Sequence, residues 1–313
     1  MEILIVGTGA MASLIGARLA AHAQVTLLGT WKQGMEVVRR DGLHLEENGE
    51  LCRAEVEVAS HPEQCAGART ALVLVKSWQT ARAAKMLSQC LATDGIALTL
   101  QNGLGNLEIL QAALGQERTA MGVTTLGASL LAPGRVRPGG VGPTHVASHP
   151  RLEPVVDLLQ SAGFEVRSTE DLAGLVWGKL AINAGINPVT ALLEIPNGEV
   201  LRHARAYRVM VEAAREAAGV AEASGVRLPY ADAAIAAEQV AERTAKNSSS
   251  MLQDIKRGAP TEIDAISGAI VKEGRRLGTK TPVNRTLWNL VSAKAHAKLE
   301  TPSESRCPAL DKL

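Results

Sequence analysis

The sequence predicts an α/β protein, with an N-terminal doubly wound sheet followed by an all-helical C-terminal domain. Three observations predict it. Short apolar runs of buried-strand type recur through the first half, each followed by a helical pattern. A glycine-rich turn, Gly7-Thr8-Gly9-Ala10-Met11-Ala12, joins the first run to its helix. From about residue 170 this alternation gives way to long helical stretches rich in Ala and Glu. The boundary is placed near Thr169, giving domains of 1–169 and 170–313.

The first strand is predicted over residues 2–6, where I-L-I-V is apolar on both faces. The G-x-G-x-x-A turn that follows has the pattern of a Rossmann-type dinucleotide site. Gly7 permits the tight turn, Gly9 lets a pyrophosphate approach the backbone, and Ala12 allows close helix–strand packing. The helix, running through Leu19, turns its N-terminus toward the phosphates. A second strand is predicted over 25–28 and ends in Gly29-Thr30-Trp31-Lys32, with no acid before Glu36. An NAD site wants a carboxylate there for the ribose hydroxyls. A hydroxyl at Thr30 and a cation at Lys32 suit a 2′-phosphate, so the expected cofactor is NADP.

Further strands are predicted over 70–75, 96–100 and 120–126. Lys76 and Asn102 follow the first two of these, and ligands of doubly wound sheets bind outside the carboxyl ends of strands. Strand-end turn chemistry accounts well for Asn102-Gly103 but less well for Lys76. Residues 133–147 suggest a glycine-rich antiparallel hairpin, 155–163 a helix and 165–168 a last strand. In the second half, helices are predicted over 171–193, 199–225, 231–245, 262–277 and 282–299. Residues 300–313 are polar and are expected to form a loosely held tail.

The stretch from Trp177 to Asn197 stands out. Lys179, Asn183 and Asn187 are four residues apart, so on a helix they form one stripe. Residues between them are apolar or small, which predicts a largely buried helix carrying a lysine and two carboxamides. A buried lysine costs free energy unless something pairs or uses it, and burial lowers its pKa toward working pH. Pro188 is expected to bend or end the helix. The plainer reading is a lysine reaching solvent, with the asparagines as caps. Thr261 and Asp264 suggest a capping box that puts Glu262 in a first helical turn, where its charge is favourable.

Composition excludes several classes. Of 313 residues, 46% are apolar and 21% charged, with net charge +1, so nothing favours nucleic acid or an anionic membrane. Aromatics at 2% disfavour base stacking. Cys52, Cys65, Cys90 and Cys307 are scattered, which reads as free thiols in a reducing compartment. No histidine or cysteine spacing suggests a metal, and no apolar run reaches membrane-span length. A cytoplasmic protein is expected.

Taken together, these segments resemble the ketopantoate reductase family over roughly residues 1–298. The matching pieces occur in order: the glycine turn, Lys76, Q-N-G at 101–103, W-x-K-L-x-x-N-x-x-I-N-P at 177–188, P-N-G-E at 196–199, S-S-M-L-Q-D-I at 249–255 and T-E-I-D at 261–264. Ala12 replaces a common glycine, and Thr30 or Lys32 stands in for the family's arginine after the second strand. The resemblance implies a two-domain reductase with its cleft between the domains. It would catalyse NADPH-dependent reduction of 2-dehydropantoate to (R)-pantoate, a step of pantothenate and coenzyme A biosynthesis, so the expected partners are a small 2-oxo acid and a second copy of the chain as a homodimer.

By that resemblance Lys179 is the proton donor, and Asn183, Asn187 and Asn197 bind substrate or orient the lysine. Ser250 binds the substrate carboxylate, with Met251, Leu252 and Gln253 lining the site. Glu262 contacts the substrate hydroxyl and lies near the cofactor. Asn102 touches both nicotinamide ribose and substrate, and Ala128 adds a backbone contact. Rival readings are a reductase of another 2-oxo acid, a β-hydroxyacid dehydrogenase, and a non-catalytic NADPH-sensing module. A sensor would have no need of a proton donor.

Overall fold

The computed structural model describes residues 1–300, with side chains through Ala297. The expected tail from residue 301 on, and Cys307 with it, lie outside the described residues. The chain divides into two compact units. The first comprises Met1–Leu180 with Ser224–Ala231, and the second comprises Ala181–Ala223 with the chain from Asp232 onward.

The strands of the first unit are β1 (Glu2–Val6), β2 (Gln24–Leu28), β3 (Leu43–Glu47), β4 (Glu50–Ala54), β5 (Glu57–Ala59), β6 (Ala68–Val73), β7 (Leu91–Thr99), β8 (Thr119–Thr124), β9 (Gly127–Ala132), β10 (Arg135–Gly140), β11 (Thr144–Ala147) and β12 (Val166–Thr169). Its helices are α1 (Ala10–Leu19), α2 (Lys32–Asp41), α3 (Thr80–Cys90), α4 (Asn106–Leu114) and α5 (Glu153–Ser161). The eight-stranded sheet runs β12-β11-β8-β7-β6-β1-β2-β5. From β5 to β8 every pairing is parallel, and β11 joins β8 antiparallel. The chain winds outward from β1 to β2 and β5, then returns to place β6 on the other side of β1. That reversal makes the crevice in which such sheets bind ligands.

Burial explains why these runs are strands. Ile5, Leu27, Leu72 and Leu98 are fully buried. Each contributes roughly 1.5–3 kcal/mol of apolar transfer free energy. α1 lies close against the sheet because Ala12 is small and because Gly16 faces Leu27, Leu43 and Ile5 at 3.3–3.5 Å from where a Cβ would stand.

Several expectations need correction. After the second strand, Lys32 opens helix α2, and β3, β4 and β5 follow, elements to which the sequence reading assigned no limits. The hairpin β3–β4 turns at Asn48 and Gly49, both at positive φ, which is the usual signature of a two-residue hairpin turn. The expected glycine-rich hairpin at 133–147 is displaced. β9 and β10 pair antiparallel about Pro133-Gly134, while β11 joins the large sheet. β9, β10, β3 and β4 form a separate four-stranded sheet. Predicted strand limits at 70–75, 96–100 and 120–126 shift to Ala68–Val73, Leu91–Thr99 and Thr119–Thr124.

Helix α6 (Leu172–Leu193) carries the division between the units, after Leu180. The second unit continues with α7 (Glu199–Arg202), α8 (Ala204–Ala223), α9 (Ala233–Arg243), α10 (Ser250–Lys256), a π-helical turn at Asp264–Gly268, α11 (Ala269–Leu277) and α12 (Pro282–Glu300). Ala213, Ala214, Ala217 and Ala221 of α8 are fully buried, so small side chains let the helices approach closely. The predicted helix at 199–225 is broken at His203, and that at 262–277 begins instead with the π turn. Pro188 does not end α6. The helix continues to Leu193, and the Thr190 hydroxyl lies within donating reach of the Ile186 and Asn187 carbonyls at 3.0 Å. No helix among the described residues is long and apolar enough to cross a membrane.

Candidate functional site

The carboxyl ends of five neighbouring strands, β2, β1, β6, β7 and β8, carry most of the predicted residues of the first unit. At β1, Gly7 adopts φ +136° and donates its N–H to the Leu28 carbonyl at 2.9 Å. A Cβ on Gly7 would stand 3.0 Å from the Leu74 carbonyl oxygen, so both its conformation and its neighbour require glycine. At Gly9 the same position is open, with nothing within 4 Å. No side chain caps the α1 N-terminus. Thr8 packs against Gly29, where a Cβ would meet its methyl at 2.5 Å. Thr8, Ala10 and Met11 are half-buried around this turn, and Ala12 is fully buried beneath it. An open glycine and uncapped helical N–H groups fit a pyrophosphate.

At β2, Thr30, Trp31 and Lys32 are exposed. Lys32 is the first residue of the ten-residue α2, whose first turn holds no acid and whose N-terminus no side chain caps. The Trp31 ring lies across Gly34, leaving no room there for a Cβ. A phosphate placed here would meet a cation and the positive end of a helix dipole.

At β6 and β7, Lys76 and Asn102 are both half-buried and lie on the turns that follow their strands. Lys76 precedes a short 3-10 helix at Ser77–Gln79. Sequence reasoning missed the side chains behind them. Gln101, Thr80 and Asn106 are buried and hydrogen-bonded to one another or to these turns. Ala128, on β9, pairs with Pro138 of β10.

At β8, the Lys179 ammonium donates to the Thr124 carbonyl at 2.5 Å. Thr124 ends the strand, and its hydroxyl is held by Thr144 Oγ1 at 2.7 Å and by the Leu126 N–H at 3.1 Å. Lys179 is thus half-buried and fixed, not extended to solvent. Thr124 was not foreseen, since nothing in the sequence links residues 55 positions apart.

In the second unit, Asn183 is half-buried and Asn187 buried on α6. Asn197 is buried, and its Nδ2 donates to Thr244 Oγ1 at 2.9 Å. Its Oδ1 is buried with no hydrogen-bond partner among the described residues. The turn holding it is tied to the segment at Ala245–Asn247. Asn197 N–H donates to the Asn247 carbonyl at 3.0 Å, and Gly198 admits Ala245 so closely that a Cβ would meet its Cβ at 2.5 Å.

Ser249 is the N-cap of α10, accepting from the Leu252 N–H at 3.1 Å and bonded to Thr190 Oγ1 at 2.7 Å. Ser250, the next residue, is exposed. Met251 and Leu252 are buried side chains, so their backbone is what they can offer a ligand. Gln253 is half-buried and donates to the Ser248 carbonyl at 3.1 Å.

The capping box at Thr261 does not form. Thr261 Oγ1 accepts from Ile263 N–H at 3.5 Å, and Asp264 instead accepts from the Trp288 indole at 2.6 Å. Glu262 precedes a π turn, whose wide spacing replaces the expected first α-helical turn. π turns are common at functional sites. Glu262 is 5% exposed, a buried carboxylate.

Residues 3–151 match the family described as Ketopantoate reductase PanE/ApbA, and residues 171–295 match Ketopantoate reductase PanE/ApbA C terminal. A 2-dehydropantoate 2-reductase of Halobacterium salinarum is 38% identical over 300 residues, covering 93% of this chain and 98% of that relative. The crystal structure of a PanE/ApbA family ketopantoate reductase from Ralstonia eutropha JMP134 has a TM-score of 0.89 at 32% identity, covering 95% of this chain and 99% of that one. The ternary structure of D-mandelate dehydrogenase with NADH and anilino(oxo)acetate has a TM-score of 0.90 at 25% identity, with the same coverage of 95% and 99%.

Proposed function

The chain belongs to the ketopantoate reductase family, and on that premise we propose that it reduces the C2 ketone of 2-dehydropantoate to (R)-pantoate with NADPH, in the cytoplasm. A nicotinamide cofactor goes with the family and the Rossmann-type sheet. When bound, it supplies the hydride that adds to the ketone carbon. Lys179 binds the ketone oxygen, stabilises the negative charge that develops there, and passes its proton to that oxygen. The observation that carries this reading is the ammonium of Lys179 anchored on Thr124 at the carboxyl end of β8.

The order of strand ends supports the placement. Reading across the sheet, Lys179 at β8 is followed by Asn102 at β7, Lys76 at β6, the glycine turn at β1, and Thr30 with Lys32 at β2. With strands about 4.8 Å apart, four steps span roughly 19 Å, a length suited to an extended dinucleotide. In the proposal Asn102 binds the nicotinamide ribose and the substrate. Lys76 and Ala128 add cofactor contacts, and residues 7–12 hold the pyrophosphate. Thr30 and Lys32 take the 2′-phosphate.

For the substrate, Ser250 binds the carboxylate, with Met251 to Gln253 beside it. Asn183 and Asn187 orient the lysine and ketone. The unpartnered Oδ1 of Asn197 accepts a hydrogen bond from substrate. Glu262 accepts from the substrate hydroxyl and borders the cofactor. A homodimer is retained as the proposed assembly, checked by light scattering on the purified chain.

The likeness to D-mandelate dehydrogenase with NADH favours a second reading, a reductase of another 2-oxo acid, with NADH as donor. Cofactor oxidation followed with NADPH and NADH, against 2-dehydropantoate and a panel of branched and aryl 2-oxo acids, decides between them. Turnover of 2-dehydropantoate with NADPH at the highest kcat/KM is expected. A higher value for an aryl 2-oxo acid overturns the substrate assignment, and no oxidation with any 2-oxo acid returns the protein to a sensing role.

A further inference from the structure

Behind the turns that carry Lys76 and Asn102 lies a buried chain of hydrogen bonds with no place in the chemistry described so far. Gln101 donates its Nε2 to the Val75 carbonyl at 2.9 Å and to Thr80 Oγ1 at 2.8 Å, and its Oε1 accepts from Thr99 Oγ1 at 2.9 Å. Thr80 Oγ1 has a single proton, within donating reach of Asn106 Oδ1 at 2.7 Å and of the Ser77 carbonyl at 2.8 Å. Asn106 in turn donates its Nδ2 to the Asn102 carbonyl at 3.0 Å. Thr80 is fully buried, Asn106 is 2% exposed and Gln101 is 8% exposed.

The chain of bonds has a direction. It starts at Val75, the residue before Lys76, and ends on the backbone of Asn102. It therefore ties the turn after β6 to the turn after β7. Gly103 and Gly105, at φ +84° and +91°, leave the Asn102 loop free of side-chain packing at two of its next three positions. The loop is held from behind by Gln101, Thr80 and Asn106 instead. In a water-free interior such a network is strong when every member is paired, and losing one member leaves others unpaired.

We propose that Gln101, Thr80 and Asn106 are positioning residues that lock Asn102 and Lys76 in register for cofactor and ketone. The proposal rests on the reading that Asn102 and Lys76 touch the cofactor. Thr80 is the best single test, because valine has its shape without the hydroxyl and serine keeps the hydroxyl. Thr80→Val removes the acceptor for Gln101 and the donor for Asn106 at one stroke.

The full chain is compared as wild type, Thr80→Val, Thr80→Ser, Gln101→Met and Asn102→Ala. Three quantities are read: NADPH binding by fluorescence, kcat with the 2-oxo acid that the wild type turns over best, and backbone amide exchange of residues 101–106 in the cofactor-free protein. Thr80→Val is expected to speed exchange in that segment and to weaken NADPH binding and kcat by about ten- to a hundredfold, the scale of a misplaced catalytic loop. Thr80→Ser is expected to stay close to wild type in all three. Gln101→Met is expected to follow Thr80→Val and serves in its place if that variant does not fold.

A folded Thr80→Val with wild-type binding, kcat and exchange overturns the proposal, as does a Thr80→Ser as impaired as the valine. If those results come with an impaired Asn102→Ala, only the positioning role falls. If Asn102→Ala itself binds NADPH and turns over normally, the underlying reading of Asn102 falls, and the proposal with it.

Discussion

The Tyr230 hydroxyl donates to the Gly178 carbonyl at 2.7 Å, one residue before Lys179. Pro229 presses on the same residue, 2.8 Å from where a Gly178 Cβ would stand. Segment Ser224–Ala231 belongs to the first unit, and here it grips the turn of α6 that bears the lysine. Burial pushes the Tyr230 phenol up to about 12 from 10.0, because the phenolate would lose its water.

Tyr230→Phe is expected to lower stability by about 0.5–1.5 kcal/mol, the usual net worth of one hydrogen bond. The pH dependence has a definite sign. The fold favours the neutral phenol, so its contribution is complete below pH 10 and is lost as pH rises through about 12. Denaturant melts across that interval should show a fall in the wild type that Tyr230→Phe lacks. Parallel curves for the two proteins would show that Tyr230 titrates as an ordinary tyrosine.

Lys179→Ala is expected to lower kcat by about 10²–10⁴, the usual range for a general acid. NADPH affinity should change little, since the variant keeps the glycine turn, Thr30 and Lys32. Near wild-type kcat at saturating substrate would sink the proton-donor role. Lys179→Arg is a sharper control. It keeps the charge but scarcely gives up a proton, so it too should be slow.

Glu262 and Ser250 are both assigned to substrate. Loss of a hydrogen bond to a charged partner costs about 1.5–3 kcal/mol, or roughly ten- to a hundredfold in kcat/KM for the 2-oxo acid. Glu262→Gln keeps shape and removes charge, and Ser250→Ala removes a single hydroxyl. Because Glu262 precedes a π turn and the capping box is absent, a loss confined to melting temperature is not expected. Unchanged kinetics with a lower melting temperature would return Glu262 to a purely structural role.

Much of this was legible from residues. The glycine turn between a four-residue apolar run and a helix fixed the start of the sheet, because the tight turn at Gly7 tolerates nothing larger. The Lys179–Asn183–Asn187 spacing predicted one long helix, and α6 is that helix. What stayed hidden depends on contacts far apart in the chain. Thr124 meets Lys179 across 55 positions, and Thr80 reaches Asn106 across 26. No periodicity encodes either. Other misses were local and avoidable. Asn48-Gly49 between alternating runs is a hairpin signal, and β3 and β4 pair across it. Pro188 was expected to bend or end the helix, and of these the end does not occur, since α6 runs on to Leu193 as the predicted helix at 171–193 does.

The cofactor prediction turns on Lys32. Strand β2 leads into Thr30, Trp31 and Lys32, all exposed, and then into a helix with no acid in its first turn. A carboxylate there would accept ribose hydroxyls and repel a 2′-phosphate, so its absence favours NADPH on two counts. Lys32 adds a cation at the helix's positive end. A charge-assisted bond is worth about 1.5–3 kcal/mol, and water around an exposed lysine holds it to the lower end, about tenfold in affinity. Lys32→Ala is therefore expected to raise KM for NADPH by that order and leave KM for NADH almost unchanged. Added salt should weaken NADPH binding more than NADH binding, because the phosphate contact is screened and the remaining contacts are shared. Equal increases in both KM values would remove Lys32 from the phosphate site, and a wild type that uses NADH as well as NADPH would remove the preference itself.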